Sequence, residues 1–349
     1  MKLTFLFIFL FISFTMSAQS LSAPESIVFD TANNRYFISN NGNNEILARD
    51  AGGNLSVFTN AISSGPHGLE IVGNTLFVCD GSSVKGFDLT TAASVMNLNL
   101  GATFMNGICS DGADYLYATD FSAKKVFKIN ISAQTYTTFV TGLAKSPNGI
   151  IYDGTNQRII WVTWGTNAPI MQATLSDSAV TQVVATTLGN CDGIVRDNDG
   201  NYFVSAWSGQ SVYEFDSGFT AAPVSVISGL NNPADIYYNL ANDSLVSPNA
   251  GNNSVTFHFL GTNTTAVTEA ALPTLKVYPN PASELLYIDN SNKNIESVEI
   301  FDLTGKSVYH EKRINTNVLT LDVSKFSAGI YSLKVKAEGY ELLEKLIVK

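Results

Sequence analysis

Six short segments of this chain open alike: PESI at Pro24, PHGL at Pro66, MNGI at Met105, PNGI at Pro147, CDGI at Cys191 and PADI at Pro233. Their second residues are Glu25, His67, Asn106, Asn148, Asp192 and Ala234, and five of these six are polar. Glu, Asn and Asp offer hard oxygen atoms of the kind that hold Ca²⁺, or Mg²⁺ with several waters retained. His67 titrates near neutral pH when unperturbed and has the chemistry of a general base; the alternative is a polar turn residue after Pro66. Asn-Gly and Asp-Gly pairs are frequent turn formers, so Asn106, Asn148 and Asp192 also have a purely conformational reading. Trp161, Trp164 and Trp207 supply flat faces either for a ring-shaped ligand or for packing between strands. The sequence holds no G-x-S-x-G, H-E-x-x-H, G-x-G-x-x-G or phosphate loop, which leaves serine-hydrolase, zincin and nucleotide chemistry without support.

The spacing of these residues says what must position them. The second residues of the openers follow one another at steps of 42, 39, 42, 44 and 42. A fixed period near 40 residues is the mark of a repeat architecture. Each opener leads an apolar strand, followed by a second strand (RYFISN, TLFVCD, YLYATD, IIWVTW, NYFVSA, SLVSPN) and a third such as KVFKIN or SVYEFD. A more polar fourth strand closes the first five units. Period-2 alternation between Gly, Asn and Asp turns marks each as a strand. Four antiparallel strands per unit make a propeller blade, and six units predict a closed six-bladed β-propeller over residues 19–262. The inner strand begins at each opener, so its second residue should point into the mouth of the central channel. Blade six has no evident outer strand; either Thr264–Leu272 supplies it or residues 263–274 are a linker.

Composition agrees with an all-β chain: of 349 residues, 26 are Gly, 21 Phe and 14 Tyr, and only 14% are charged. The formal charge of −10 is unevenly placed. Residues 275–349 carry ten basic and ten acidic residues, whereas residues 19–274 carry nine basic and twenty acidic ones, a net of −11. That acidity argues against nucleic acid as a partner and is compatible with a bound cation. Cys79, Cys109 and Cys191 lie in or beside apolar strand patterns, which predicts buried thiols and no disulfide scaffold. Residues 1–18 combine Lys2, an apolar run from Leu3 to Phe14 and small residues ending at Ala18, the pattern of a removable signal peptide. No other segment approaches the roughly 20 apolar residues of a membrane-spanning helix. From residue 275 the 42-residue repeat stops, and seven short strand patterns between 275 and 348 predict a small β-sandwich.

Two resemblances sharpen these readings. VYPNPA at 277–282, VEIFDLTGKSV at 298–308, LDVSKFSAGIYSLKV at 321–335 and the terminal EKLIVK resemble the type A sorting domain of type IX secretion substrates. This resemblance implies recognition of residues 275–349 by that secretion machinery, and a secreted or outer-surface location. The repeats resemble NHL-type blades, and SPNGIIYD at 146–153 with CDGIVRDNDGNYFVSAW at 191–207 is similar to the family of senescence marker protein, gluconolactonase and luciferin-regenerating enzyme. Matched blade by blade, that resemblance implies a divalent cation on Glu25, Asn148 and Asp192, with Ca²⁺ the first expectation and Zn²⁺ or Mg²⁺ as alternatives. It also implies Asn106 facing a substrate and Asp192 available as a base. The chain departs from that family in having no Arg near Asn106. Two functions follow: a metal-dependent hydrolase of a small lactone, or a non-catalytic propeller that binds a protein or glycan at the cell surface.

Overall fold

The computed structural model describes residues 19–260, 276–290, 294–302, 306–337 and 340–349. The expected signal peptide at 1–18, the linker at 263–274 with its alternative strand Thr264–Leu272, and the hairpin turns that the sequence of the second unit predicts at Thr304-Gly305 and Glu338-Gly339 lie outside the described residues. The chain divides into two compact units, Met1–Thr262 and Asn263–Lys349.

In the first unit five antiparallel sheets have four strands each, in simple meander order, and a sixth has three among the described residues. The inner strands are Pro24–Asp30, Pro66–Val72, Met105–Ser110, Pro147–Asp153, Cys191–Arg196 and Tyr237–Asn239. Alternation along the strands sends apolar residues to both faces of each blade, and neighbouring blades bury them against each other. Six separate apolar cores result. Phe37, Leu69 and Phe87 belong to the first, between blades one and two. Ile27, Tyr36, Ile38 and Val246 form the last, between blades six and one. The ring is closed by backbone as well as side chains: Asp235 N donates to Glu25 O at 2.8 Å, and Ser26 Oγ donates to Asp235 Oδ2 at 2.8 Å. The six-bladed all-β expectation therefore holds.

The openers are not turns. The residues of the first five lie within the inner strands, and the register slips by β-bulges between Pro24 and Ile27, Pro66 and Leu69, Pro147 and Ile150, and Cys191 and Ile194. The sixth, at Pro233, precedes its inner strand and makes only isolated bridges, Pro233 to Asn249 and Asp235 to Ser26. Four openers carry a glycine, Gly68, Gly107, Gly149 and Gly193, and each is required by close approach of the next blade. A Cβ on Gly107 would stand 2.5 Å from Asn148 O, and one on Gly149 would collide with Asp192 O. Second-strand hydroxyls lock the same joints. Thr119 Oγ1 accepts from Gly107 N at 2.8 Å and donates to Asn148 O at 3.0 Å, and Ser205 Oγ links Gly193 N to Ala234 O in the same way, at 2.7 Å each.

Among its described residues the second unit has seven strands, Lys276–Tyr278, Leu285–Asp289, Ile295–Phe301, Ser307–Thr316, Val318–Asp322, Gly329–Ala337 and Tyr340–Val348. They form a three-stranded and a four-stranded sheet that share one core, including Leu286, Ile288, Val298, Leu333, Val335 and Leu346. All seven strand patterns read from the sequence are present. Cys79, Cys109 and Cys191 are buried free thiols.

Candidate functional site

The bulged openers bring Glu25, His67, Asn106, Asn148 and Asp192 into one cavity of about 300 Å³ at one mouth of the channel. Ala234, the sixth opener residue, is buried and does not line it. Each polar side chain is held by the frame just described. Asn148 is 1% and Asp192 2% exposed. The Asn148 amide donates from Nδ2 to Cys191 O at 3.3 Å, which leaves its Oδ1 buried with no hydrogen-bond partner. Asp192 Oδ1 is likewise buried and unpartnered. The Asn106 side chain makes no hydrogen bond to a described residue.

Burial governs the protonation of the site. It pushes the Glu25 carboxyl up to about 8, with the charge of nearby Asp235 adding to the effect. Asp192 is raised by burial first and then by the charges of Glu25 and Asp235. Asn148 and the Trp207 indole oppose that rise from close by, although Trp207 Nε1 closes no hydrogen bond of normal geometry. Two carboxyls that resist ionisation, one of them with an orphaned oxygen, and the orphaned amide oxygen of Asn148 form a set that a cation would complete.

His67 is held differently from a free base. Asn41 Nδ2 lies 3.2 Å from its Nε2 and its Nδ1 lies 3.1 Å from Gly65 O, the pattern of a neutral imidazole protonated on Nδ1. Burial lowers its pKa to about 4, against the opposing influences of Gly65 O and Asp80. Its Nε2 lone pair is engaged, so proton abstraction there requires the Asn41 contact to break.

One wall of the mouth is aromatic. His67 meets Phe104 edge-on at 4.7 Å between ring centres, Phe104 meets Phe121 at 5.6 Å, Phe121 meets Trp164 at 5.9 Å, and Trp164 meets Trp207 at 5.1 Å. Asp120 fixes part of it, accepting from Thr103 N, Phe104 N and Ala123 N at 2.8, 3.1 and 2.9 Å. Trp161 is elsewhere, fully buried in the core between blades three and four. Phe104, Phe121 and Asn41 were not singled out by the opener pattern. The signal was a second period: Asn41, Phe121, Trp164, Trp207 and Ala250 each directly follow a second strand and all line the cavity.

The opposite mouth holds a second cavity of about 290 Å³, lined by Ile108, Ile150 and Ile194 with Glu70 and Asp235. Burial raises Glu70 to about 7; the Asp235 charge adds to this, and the 2.6 Å hydrogen bond from Ser110 Oγ opposes it. A carboxyl raised from 4.5 to about 7 favours the fold most below its unfolded pKa, and that stability is lost as pH rises through 7. Glu70→Gln keeps the acceptor for Ser110 and removes the ionisation. It is expected to stabilise the protein at pH 8 by up to about 3 kcal/mol and to leave pH 4.5 unchanged, read from thermal melts at both pH values.

With this geometry in hand, comparison with known proteins places the two units. Residues 276–349 match the secretion system C-terminal sorting domain. The second unit is a type IX sorting domain. It makes the chain a secreted or outer-surface protein, and no helix among the described residues is long and apolar enough to cross a membrane. The first unit has the propeller fold of several solved structures. A gluconolactonase from Xanthomonas campestris is 15% identical at a TM-score of 0.58, covering 69% of this chain and 86% of its own. A luciferin-regenerating enzyme is 12% identical at 0.57, covering 69% and 93%. A virginiamycin B lyase from Staphylococcus aureus is 14% identical at 0.55, covering 68% and 80%. Such likeness is one of fold. An ulvan lyase of Nonlabens ulvanivorans is 31% identical over 90 residues, which are 26% of this chain and only 17% of that protein.

Proposed function

We propose that the chain is made with a cleavable signal peptide at 1–18, exported by the type IX route, and acts outside the cell as a metal-dependent hydrolase of a small lactone. The observation that carries the reading is the pair of buried, unpartnered oxygens, Asn148 Oδ1 and Asp192 Oδ1, in the same cavity as Glu25. A buried polar atom without a partner is costly, and two in one cavity with a second carboxyl call for a ligand that accepts all three. Among the described residues no three His, Cys, Asp or Glu side chains are grouped so as to hold a metal ion by themselves, so the set is two carboxyls and an amide. All-oxygen ligation favours Ca²⁺ or Mg²⁺ over Zn²⁺.

Glu25, Asn148 and Asp192 would hold the cation, which when bound supplies Lewis-acid polarisation of the lactone carbonyl. Asn106, with its amide uncommitted, would orient the lactone from the side. Asp192 would hold the attacking water and accept its proton, while the aromatic wall keeps bulk water away. A second reading, a non-catalytic surface propeller binding a protein or glycan, places a ligand on the same open face but gives the orphaned oxygens no chemical use.

Cation binding is tested without reference to catalysis. A ligand that binds only the folded state raises its stability by mass action. Ca²⁺ or Mg²⁺ at about 100 times its Kd should stabilise the protein by about 2.7 kcal/mol. Asp192→Ala should lose this response. An unchanged melting temperature of the parent with Ca²⁺, Mg²⁺, Mn²⁺ and Zn²⁺ alike would remove the cation site.

A further inference from the structure

The mouth is unequally furnished: one side is a continuous row of rings, and the polar side has few groups left over. Taking the proposed assignment, the oxygens of Glu25, Asn148 and Asp192 are used by the cation. The Asn148 amide nitrogen is bonded to Cys191 O, and both His67 nitrogens face Asn41 and Gly65. The Asn41 amide nitrogen is taken up by Pro66 O at 3.2 Å. What remains for a ligand is the Asn106 side chain, Asn41 Oδ1 and the unpartnered Nε1 of Trp207.

A polyhydroxylated lactone would bury several hydroxyl groups here, each a donor and an acceptor, and most would be stripped of water without a partner. Phe104, Phe121, Trp164 and Trp207 are each half-buried with part of the ring open to the cavity. Rings in such edge-to-face rows take a further ring well, by stacking or by its edge. No Lys or Arg lines the cavity, and Glu25 and Asp192 stand at its floor, so a carboxylate-bearing ligand meets repulsion and no counter-charge.

We infer that this mouth selects an uncharged lactone whose body is an aromatic or aliphatic ring, and discriminates against polyhydroxylated and anionic lactones. The inference rests on the lactone-hydrolase reading for the bond that is cut, and on the Phe104–Trp207 wall for what is held. Trp164 and Phe121 are the specificity-determining residues, because they form the middle of the wall and make no hydrogen bond to the cation ligands.

The test uses stable lactams, so that binding is read apart from turnover. Calorimetric titration of the full mature protein, saturated with Ca²⁺, compares a benzo-fused δ-lactam (3,4-dihydro-2-quinolinone) with gluconolactam. The benzo-fused ring should bind at least about tenfold more tightly, the order expected for one well-placed aromatic contact with its apolar burial. Trp164→Ala and Phe121→Ala should each remove about tenfold of that affinity, and Trp164→Phe should restore most of it. Both alanine variants should keep the Ca²⁺-induced rise in melting temperature, which shows that fold and cation site survive. Equal or tighter binding of gluconolactam, no binding of the benzo-fused lactam, or full affinity in both wall variants would overturn the inference. If the lactam binds as expected and the matching lactone is not hydrolysed, the wall stands and the hydrolase reading falls.

Discussion

A chain ending at residue 274 is expected to remain inside the cell envelope as a folded propeller, with delivery to the medium or outer surface falling to background. The two units have separate cores: Leu286, Val298, Leu333 and their neighbours pack among themselves, and the six interblade clusters draw only on residues of the first unit. Ring closure also depends on groups at the front of the chain, Ser26 and Glu25 against Asp235. Removing the sorting domain therefore takes away an address and leaves a fold. The measurement is an immunoblot of periplasm, cell surface and medium in a host with a type IX system. Circular dichroism and thermal melting of the retained protein complete it. Normal export of the truncated chain would show that the sorting domain is dispensable, and an unfolded periplasmic product would show that the units fold together.

The architecture was legible in the sequence because one physical rule repeats. An inner strand must start with a residue aimed at the channel and continue with apolar residues on both blade faces, and that pattern recurs at Glu25, His67, Asn106, Asn148 and Asp192. The glycines were legible as positions but not as causes. Asn-Gly and Asp-Gly usually signal turns, whereas Gly107 and Gly149 sit in bulged strands and are small because the next blade's carbonyl lies against them. No pattern in one repeat shows a constraint imposed by its neighbour.

Much of the mouth was hidden for a related reason. Trp161 and Trp164 are three residues apart, yet one is core and the other wall, because Trp161 lies within a strand packed between blades and Trp164 lies just past its end at Thr163, at the mouth. Phe104 falls in a loop outside either period, where Asp120 anchors its backbone nitrogen, and Phe121 follows only the second period, that of residues just past each second strand. Glu70 was invisible as a site residue because the opener marks only one end of the channel. The orphaned state of Asn148 Oδ1 depends on which way its amide is held by Cys191 O, a contact 43 residues away.

That orphaned oxygen makes Asn148→Ala the sharpest probe of chemistry. The substitution removes Oδ1, which has no protein partner, together with Nδ2, whose single bond to Cys191 O is long at 3.3 Å. Losing an ordinary hydrogen bond costs about 1 kcal/mol, and relieving a buried unpaired oxygen returns a similar amount, so the fold should change little. The carboxyls of Glu25 and Asp192 stay in place, and Thr119 still holds the backbone carbonyl of residue 148. Catalysis has no such compensation. A group that stabilises developing charge through a correctly placed cation contributes about 100-fold or more, near 2.7 kcal/mol, and none of it is recovered by the empty space left behind. The parent with Ca²⁺ is expected to hydrolyse an uncharged ring lactone well above the buffer rate. Asn148→Ala should lower kcat/KM by about 100-fold with an unchanged circular dichroism spectrum and a melting temperature within a few degrees in the absence of cation. Loss of rate together with loss of fold would assign Asn148 to architecture. No cation-dependent turnover of any lactone by the parent, with the cation demonstrably bound, would leave the mouth as a binding face for an uncharged ring.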